Sequence, residues 1–217
     1  MRCPGTSAGL AALALALLPT PARAEWYVQA YLGASHTFNA TITTDLGDAR
    51  SRATYADVPL EGRSFASPPY YGYRAGLSRG RMGFEAELTH LKVFAPVGAL
   101  GPYVERFSIS HGLNLLVASV VWRQPLARHV RLALRGGAGP AIPHGESRVR
   151  AIDQEQYEIS GLALQGAAGP EVLLGRHARA FVEYKISTAA PRVSAPGGTI
   201  RGRYTSQHVA AGMGVAW

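Results

Sequence analysis

The sequence lacks the features that hold small exported domains or helical membrane proteins together. Cysteine occurs once in 217 residues, so no disulfide can form within the chain. The apolar run at 8–18 is eleven residues long, which is far short of the roughly 20 residues of a transmembrane helix, and no later run is longer. No linker or low-complexity tract divides the chain. We therefore expect one domain that is held together by packing or by closure of a sheet.

The first 24 residues are typical of a secretory signal peptide. Arg2 supplies the positive charge, residues 8–18 form the apolar segment, and 22–24 is a small-x-small cleavage site. The single cysteine lies in this segment and leaves with it. Cleavage would leave 217 − 24 = 193 residues, which suits one domain. The sequence thus predicts a signal peptide at 1–24 and a single exported domain at 25–217.

Lysine is almost absent, since Lys92 and Lys185 are the only two. Two of the 22 basic residues lie in the signal peptide, so the exported domain carries 20 − 14 = +6 charges. Guanidinium groups suit phosphate and carboxylate, so contact with anionic lipid phosphates is one interpretation. A GC-rich genome that encodes basic residues as arginine is the other. An exported chain without an aromatic-basic motif is not expected to bind nucleic acid.

Alternation of apolar and polar residues recurs along the exported domain and predicts β-strands. The clearest example is the hairpin at 83–122, in which each limb is about twice as long as a strand of a soluble protein. Six further strands are predicted at 26–38, 70–78, 130–144, 160–174, 178–188 and 207–217. Short turns (79–81, 124–129, 175–177) alternate with long loops (39–69, 95–106, 145–159, 189–204). This alternation predicts an all-β fold, an eight-stranded antiparallel transmembrane β-barrel of the outer-membrane type.

The second face of the predicted strands carries glycine, alanine and charged residues, and in a small barrel this face fills the lumen. Charges in a closed lumen are costly unless they are paired, so we expect a structural ion-pair network rather than catalytic carboxylates. Its predicted members are Arg74, Glu85, Glu87, Arg131, Arg135, Gln165, Glu171, Glu183 and Lys185.

Aromatic residues mark the ends of the predicted strands. Trp26, Trp122 and Trp217 all fall on the short-turn side, as in an aromatic girdle. The terminal Trp217, with apolar residues at every second position before it, resembles the C-terminal signature that the barrel-assembly machinery recognises in bacterial outer-membrane proteins. The whole exported domain resembles the OmpA-type small barrels, which implies an outer-membrane location and, we expect, a monomer. A soluble lipocalin-like barrel or β-sandwich is the rival, and it would place the apolar face inside.

Three histidines are predicted to meet at the loop side of the barrel. If Phe84, Ala86 and Leu88 face lipid, His90 and Lys92 share their face. On the next strand Ile109, Leu113, Leu115 and Val117 are expected to face lipid together with His111. On the following strand Leu132, Leu134 and Ile142 are expected to do so, followed by His144 and, in the loop, Glu146. Neighbouring strands lie about 4.8 Å apart, so these side chains could share a metal ion or a phosphate of lipopolysaccharide. The alternative is a set of amphipathic rim residues without chemistry.

Five segments in the same region resemble the lipid A oxidase-type outer-membrane proteins of α-proteobacteria. They are PPYYGYR (68–74), THLKV (89–93), HGLNL (111–115), IPHGE (142–146) and FVEYK (181–185). The resemblance implies oxidation of the proximal glucosamine of lipid A to an aminogluconate, with dioxygen as co-substrate. Together with the face argument it suggests catalytic roles for His90, Lys92, His144 and Glu146. Substrate-binding roles are predicted for His111, Tyr71, Tyr73 and Asn114 of these segments.

Three functions follow from these observations. The first is a lipid A oxidase, in which a divalent metal ion held by His90, His111 and His144 is one possibility. The second is a lipid A deacylase-like hydrolase using Ser110 and His111, which alternation would send to opposite faces of the strand. The third is a structural or surface-antigen barrel without enzymatic activity. A pore is the least expected, because eight strands leave little open lumen.

Overall fold

The computed structural model describes residues 24–217. The predicted signal peptide at 1–24 therefore lies, except for Ala24, outside the described residues. Within them there is no helix that is long and apolar enough to cross a membrane.

Thirteen β-strands account for the regular structure of residues 24–217. In chain order they are β1 (Ala24–Thr37), β2 (Ala40–Asp45), β3 (Ala53–Val58), β4 (Tyr71–Arg79), β5 (Met82–Phe94), β6 (Val104–Ala127), β7 (Val130–Val149), β8 (Ile152–Tyr157), β9 (Leu162–Leu173), β10 (Ala178–Ala189), β11 (Arg192–Ala195), β12 (Gly198–Gly202) and β13 (Tyr204–Ala216).

Eight of these strands form a closed barrel. Their order around the sheet is β6-β5-β4-β1-β13-β10-β9-β7, and β7 pairs in turn with β6, so that no barrel strand has a free edge. Every pairing is antiparallel. The eight-stranded antiparallel barrel predicted from the sequence is thus confirmed.

The long loops contain strands that the sequence did not predict. In one group β11, β12, β2 and β3 form a separate four-stranded sheet. In the other, β8 pairs with the upper part of β7 and lengthens the β6–β7 hairpin beyond the barrel. The long-loop end is therefore largely structured, and by the usual orientation of such barrels it is the extracellular end.

The outer surface of the barrel is apolar. Large side chains such as Leu32, Phe84 and Met213 are exposed around it, and Trp26, Trp122 and Trp217 are exposed near the short-turn end. The predicted aromatic girdle is confirmed. An apolar exterior around a charged interior is the arrangement of a barrel that spans the bacterial outer membrane, and it is the reverse of the soluble barrel considered as its rival.

Ion pairs fill the lower half of the lumen. Arg74 Nη2 lies 3.0 Å from Glu87 Oε1, and Arg74 Nη1 donates to Glu183 Oε2 at 3.0 Å. Lys185 Nζ also contacts the Glu87 carboxylate. Further members of the network are Glu85, Arg135, Gln165 and Glu171, all of them buried. The predicted ion-pair network is confirmed, although Arg131 is only half-buried, at the short-turn end.

An apolar cluster occupies much of the upper half of the lumen, which corrects the prediction for β6. Leu113, Leu115 and Val117 were expected to face lipid, as was Ile109, but all four are buried in one cluster inside the barrel. The alternate residues of β6 face outward instead, including Leu116, Val120 and Trp122. The reason is that loop residues such as Ile42, Val193 and Ile200 pack into this cluster, so that the inner face of the upper barrel has an apolar partner.

The lumen network yields a stability prediction. Arg74→Ala should destabilise the barrel by about 3–5 kcal/mol, because two buried carboxylates lose a guanidinium partner. Arg106→Ala is the matched control, since Arg106 pairs with Asp153 at 3.2 Å on the exposed hairpin and should cost no more than about 1 kcal/mol. Urea unfolding of each variant in lipid vesicles, followed by tryptophan fluorescence, measures the difference. Equal losses in the two variants would contradict the role of the network.

Candidate active site at the extracellular rim

The apolar exterior ends at a well-defined level on β5, β6, β7 and β9. Leu88 lies opposite Leu116, and Pro140 lies opposite Leu162. Leu116 and Leu162 are exposed at this level. On a strand tilted by about 45°, two further residues rise about 5 Å and four rise about 10 Å. Outward side chains two to four residues beyond this level therefore lie at the height of the lipid headgroups.

A bulge in β6 redirects the side chains at this height. Leu91 pairs with Leu113 and Val93 pairs with Ile109, so residues 110–112 of β6 stand opposite Lys92 alone. The last of the three, Gly112, has φ 121°, a backbone conformation that residues with a Cβ rarely adopt. The bulge leaves His111 exposed on the outside of the barrel.

Four side chains meet beside this bulge, and we call them the rim cluster: His111, His144, Glu146 and Glu155. One nitrogen or oxygen of each lies within 4.8 Å of those of the others. His144 and Glu146 project from β7, and Glu155 is paired with Glu146 across the β7–β8 hairpin. The cluster therefore draws on three neighbouring strands.

Short distances connect the members of the rim cluster. His111 Nδ1 lies 2.8 Å from Glu146 Oε1. The two nitrogens of His144 face different carboxylates, Nδ1 at 3.8 Å from Glu146 and Nε2 at 3.2 Å from Glu155. The His111 and His144 rings meet edge to face with their centroids 4.8 Å apart, and the Tyr157 ring packs on His144 with the centroids 4.0 Å apart.

The members differ in exposure and in charge. The side chains of His111 and Glu155 are 56% and 59% exposed, whereas that of His144 is only 7% exposed. Burial by itself would raise the pKa of Glu146, but hydrogen bonds from Ser110 and His111 outweigh it and lower that pKa. Glu146 is therefore a carboxylate at neutral pH, held between a buried imidazole and an exposed one.

The geometry does not form a hydrolase triad. Alternation suggested that Ser110 and His111 point to opposite faces, but the bulge brings Ser110 Oγ to 3.1 Å from His111 Nδ1. Glu146 contacts the same Nδ1, and Ser110 also donates a hydrogen bond to Glu146. A triad needs the serine and the carboxylate on different nitrogens of the imidazole, and here both meet at one.

His90 and Lys92 are not members of the rim cluster. His90 is buried, stacks on Tyr71 with centroids 4.7 Å apart and places Nδ1 2.9 Å from Asn114 Oδ1. Lys92 Nζ donates to the carbonyl oxygens of Ala66 and Ser67 at 3.1 and 2.8 Å, so it anchors the first long loop. The structure brings His111, His144 and Glu146 together, as the sequence suggested, but places His90 and Lys92 beside them.

The remaining predicted residues form the surface below the rim cluster. Tyr71 is half-buried against His90, and Tyr73 is exposed on the same outward face of β4. Asn114 also reaches the carbonyl oxygen of Ile142 on β7, at 3.4 Å. Sequence reasoning missed Glu155 and Tyr157, because the segment that carries them was expected to be loop. Residues 152–157 (IDQEQY) do not alternate between apolar and polar, so the sequence offered no strand signal there.

Comparisons with known proteins find distant structural similarities and no similarity in sequence. No protein-family model matches the chain, and no curated protein is similar to it in sequence. Neisserial surface protein A is similar at 16% identity and a TM-score of 0.48, over 88% of this chain and 96% of that one. The outer membrane protease OmpT of Escherichia coli is similar at 8% identity and a TM-score of 0.49, over 89% of this chain and 97% of that one. The outer membrane protein AlkL is similar at 8% identity and a TM-score of 0.49, over 100% of this chain and 96% of that one. Similarities this low carry no functional argument, so the fold assignment rests on this chain's own strand order and surfaces.

The exposures predict which histidines are chemically accessible. In the folded barrel diethyl pyrocarbonate should modify His111 rapidly and spare His90 and His144, as measured by peptide mass spectrometry. Gly112→Ala should make His90 accessible to the reagent, because a Cβ at this position would overlap the His90 ring and displace it. Gly136→Ala is the control, since nothing lies within 4 Å of its added Cβ. Modification of His90 as fast as that of His111 in the unchanged chain would contradict this arrangement.

Proposed function

We propose that this outer-membrane barrel modifies lipid A at the rim cluster. The observation that supports the proposal is the position of two imidazoles and two carboxylates just above the apolar belt, with His111 and Glu155 open to the outside. Imidazoles exchange protons near neutral pH and bind metals, and carboxylates act as general bases. In the outer leaflet, the groups that lie at this level are the sugars and phosphates of lipopolysaccharide.

We further propose that the reaction is an oxygen-dependent oxidation of the proximal glucosamine, as the resemblance of the five segments implies. A glucosamine with a free anomeric hydroxyl loses the hydroxyl proton and, from C1, a hydrogen with two electrons. Dioxygen takes up two electrons and two protons and becomes hydrogen peroxide. Water then opens the lactone, so that the sugar acid has gained one oxygen atom. The exposed Glu155 carboxylate is the group placed to accept the hydroxyl proton.

A barrel without enzymatic activity is the second candidate. It is favoured by the exposed apolar side chains of the long-loop end, above all Phe65 and Val97, which are 86% and 87% exposed. Such residues suit a surface protein whose loops contact another molecule. A lipid A deacylase is less well supported, because Ser110 and Glu146 compete for one nitrogen of His111.

Mass spectrometry of lipid A tests the proposal. A Gram-negative host whose lipid A carries a free anomeric hydroxyl should gain one oxygen atom per lipid A when it expresses the chain, and only when dioxygen is present. Glu155→Gln should lower the initial rate of modification about 100-fold or more, which is the usual contribution of a general base. The matched control is Glu105→Gln, whose exposed carboxylate pairs with Arg148 on the same hairpin at 2.9 Å.

Heat-modifiable migration in electrophoresis establishes that each variant has folded. Unchanged lipid A with a folded barrel would overturn the enzymatic proposal and support the surface protein. Loss of an acyl chain would instead support the hydrolase.

A further inference from the structure

We infer that His111, His144 and Glu146 form a binding site for a divalent first-row transition metal, with Glu155 as an outer partner of His144. The inference goes beyond the proposed function, because metal binding is a property of these side chains and needs no lipid substrate. It also differs from the set of three histidines suggested by the sequence, since His90 is replaced by a carboxylate.

The donor set is the first argument for this site. Two imidazoles and one carboxylate on one side of the ion, with the other positions open, are the ligands of non-haem iron(II) oxygenases. Imidazole also suits zinc, copper and nickel. Calcium and magnesium prefer an all-oxygen shell, so they are not the expected occupants.

The second argument is an unsatisfied nitrogen in a buried side chain. His144 Nδ1 has no hydrogen-bond partner within residues 24–217, although its side chain is only 7% exposed. Leaving a buried polar atom unpaired costs about 1–3 kcal/mol. This nitrogen lies 3.8 Å from Glu146 Oε1, and two ligands of one ion bound at about 2 Å each stand roughly 3–4 Å apart. A metal ion between them would supply the partner that His144 Nδ1 lacks.

The third argument is the environment of the ligands. His144 Nε2 lies 3.2 Å from Glu155 Oε1, which is the carboxylate–histidine pairing that orients metal-bound imidazoles. The Tyr157 ring packs against the His144 ring with the centroids 4.0 Å apart. The bulge keeps the third ligand, His111, exposed, so an ion can enter from the outside without opening the barrel.

Metal binding can be tested on the full barrel, folded in detergent, without lipid A. After removal of metals with EDTA, cobalt(II) should bind in a 1:1 ratio, as measured by elemental analysis and by d–d absorption of an imidazole-ligated ion. His111→Ala and Glu146→Gln should each weaken the affinity for cobalt(II) at least about 10-fold, because each removes a ligand. Glu155→Gln should weaken it by about 10- to 100-fold through loss of the outer partner.

His36→Ala is the matched control, because His36 is an exposed histidine at the same end of the barrel, on β1, and its loss should leave binding unchanged. His111 is exposed, so His111→Ala is expected to fold, and heat-modifiable migration checks each variant. Absence of 1:1 binding, or full binding in His111→Ala, would overturn the inference. Binding by a barrel that leaves lipid A unchanged would support the metal site and reject the proposed function. Modification of lipid A by a barrel that does not bind cobalt(II) would reject the metal site and support the proposed function.

Discussion

The pairing of charges inside the lumen is the constraint on which the structure depends. Removing an ion from water costs several kcal/mol, and this cost is recovered only in a well-formed pair. Arg74 and Glu87 come from the consecutive strands β4 and β5, whereas Glu183 and Lys185 come from β10, which is far away in sequence. They can be paired only after the sheet has curved into a barrel. Closure and charge pairing therefore depend on each other, and the outer face is left free to be apolar.

A filled lumen determines where chemistry can occur. Ion pairs occupy its lower half, and an apolar cluster that includes loop residues such as Ile42 and Ile200 occupies its upper half. The proposed reaction therefore has to take place on the outer surface or at the loops. The rim cluster contains residues of both regions, because His144 lies on a barrel strand while Glu155 lies on the hairpin extension. Its height, next to the end of the apolar belt, suits an amphipathic substrate whose acyl chains remain in the membrane.

Much of the fold could be predicted because alternation reports which face of a strand is polar. It located all eight barrel strands and the inward orientation of Glu87 and Lys185. It failed at 113–121, where both faces of β6 are apolar and period two no longer distinguishes them. It also missed β8, because the two-residue turn at Arg150 and Ala151, both with positive φ, lacks the Asn-Gly or Asp-Gly signal of such turns. Glu155 was missed for that reason.

His111 illustrates how a predicted position can be reached by the wrong route. The sequence placed it outside by assuming that Leu113 faces lipid, yet Leu113 is buried inside the barrel. Strict alternation from an inward Leu113 would turn His111 inward as well. The bulge at 110–112 adds residues to one strand only and returns His111 to the exterior. Exposure of the His111 side chain thus depends on Gly112, where φ is 121° and the His90 ring leaves no room for a Cβ. The rim cluster is specified by one backbone conformation as much as by its own side chains, and a motif search limited to histidine and glutamate would miss that requirement.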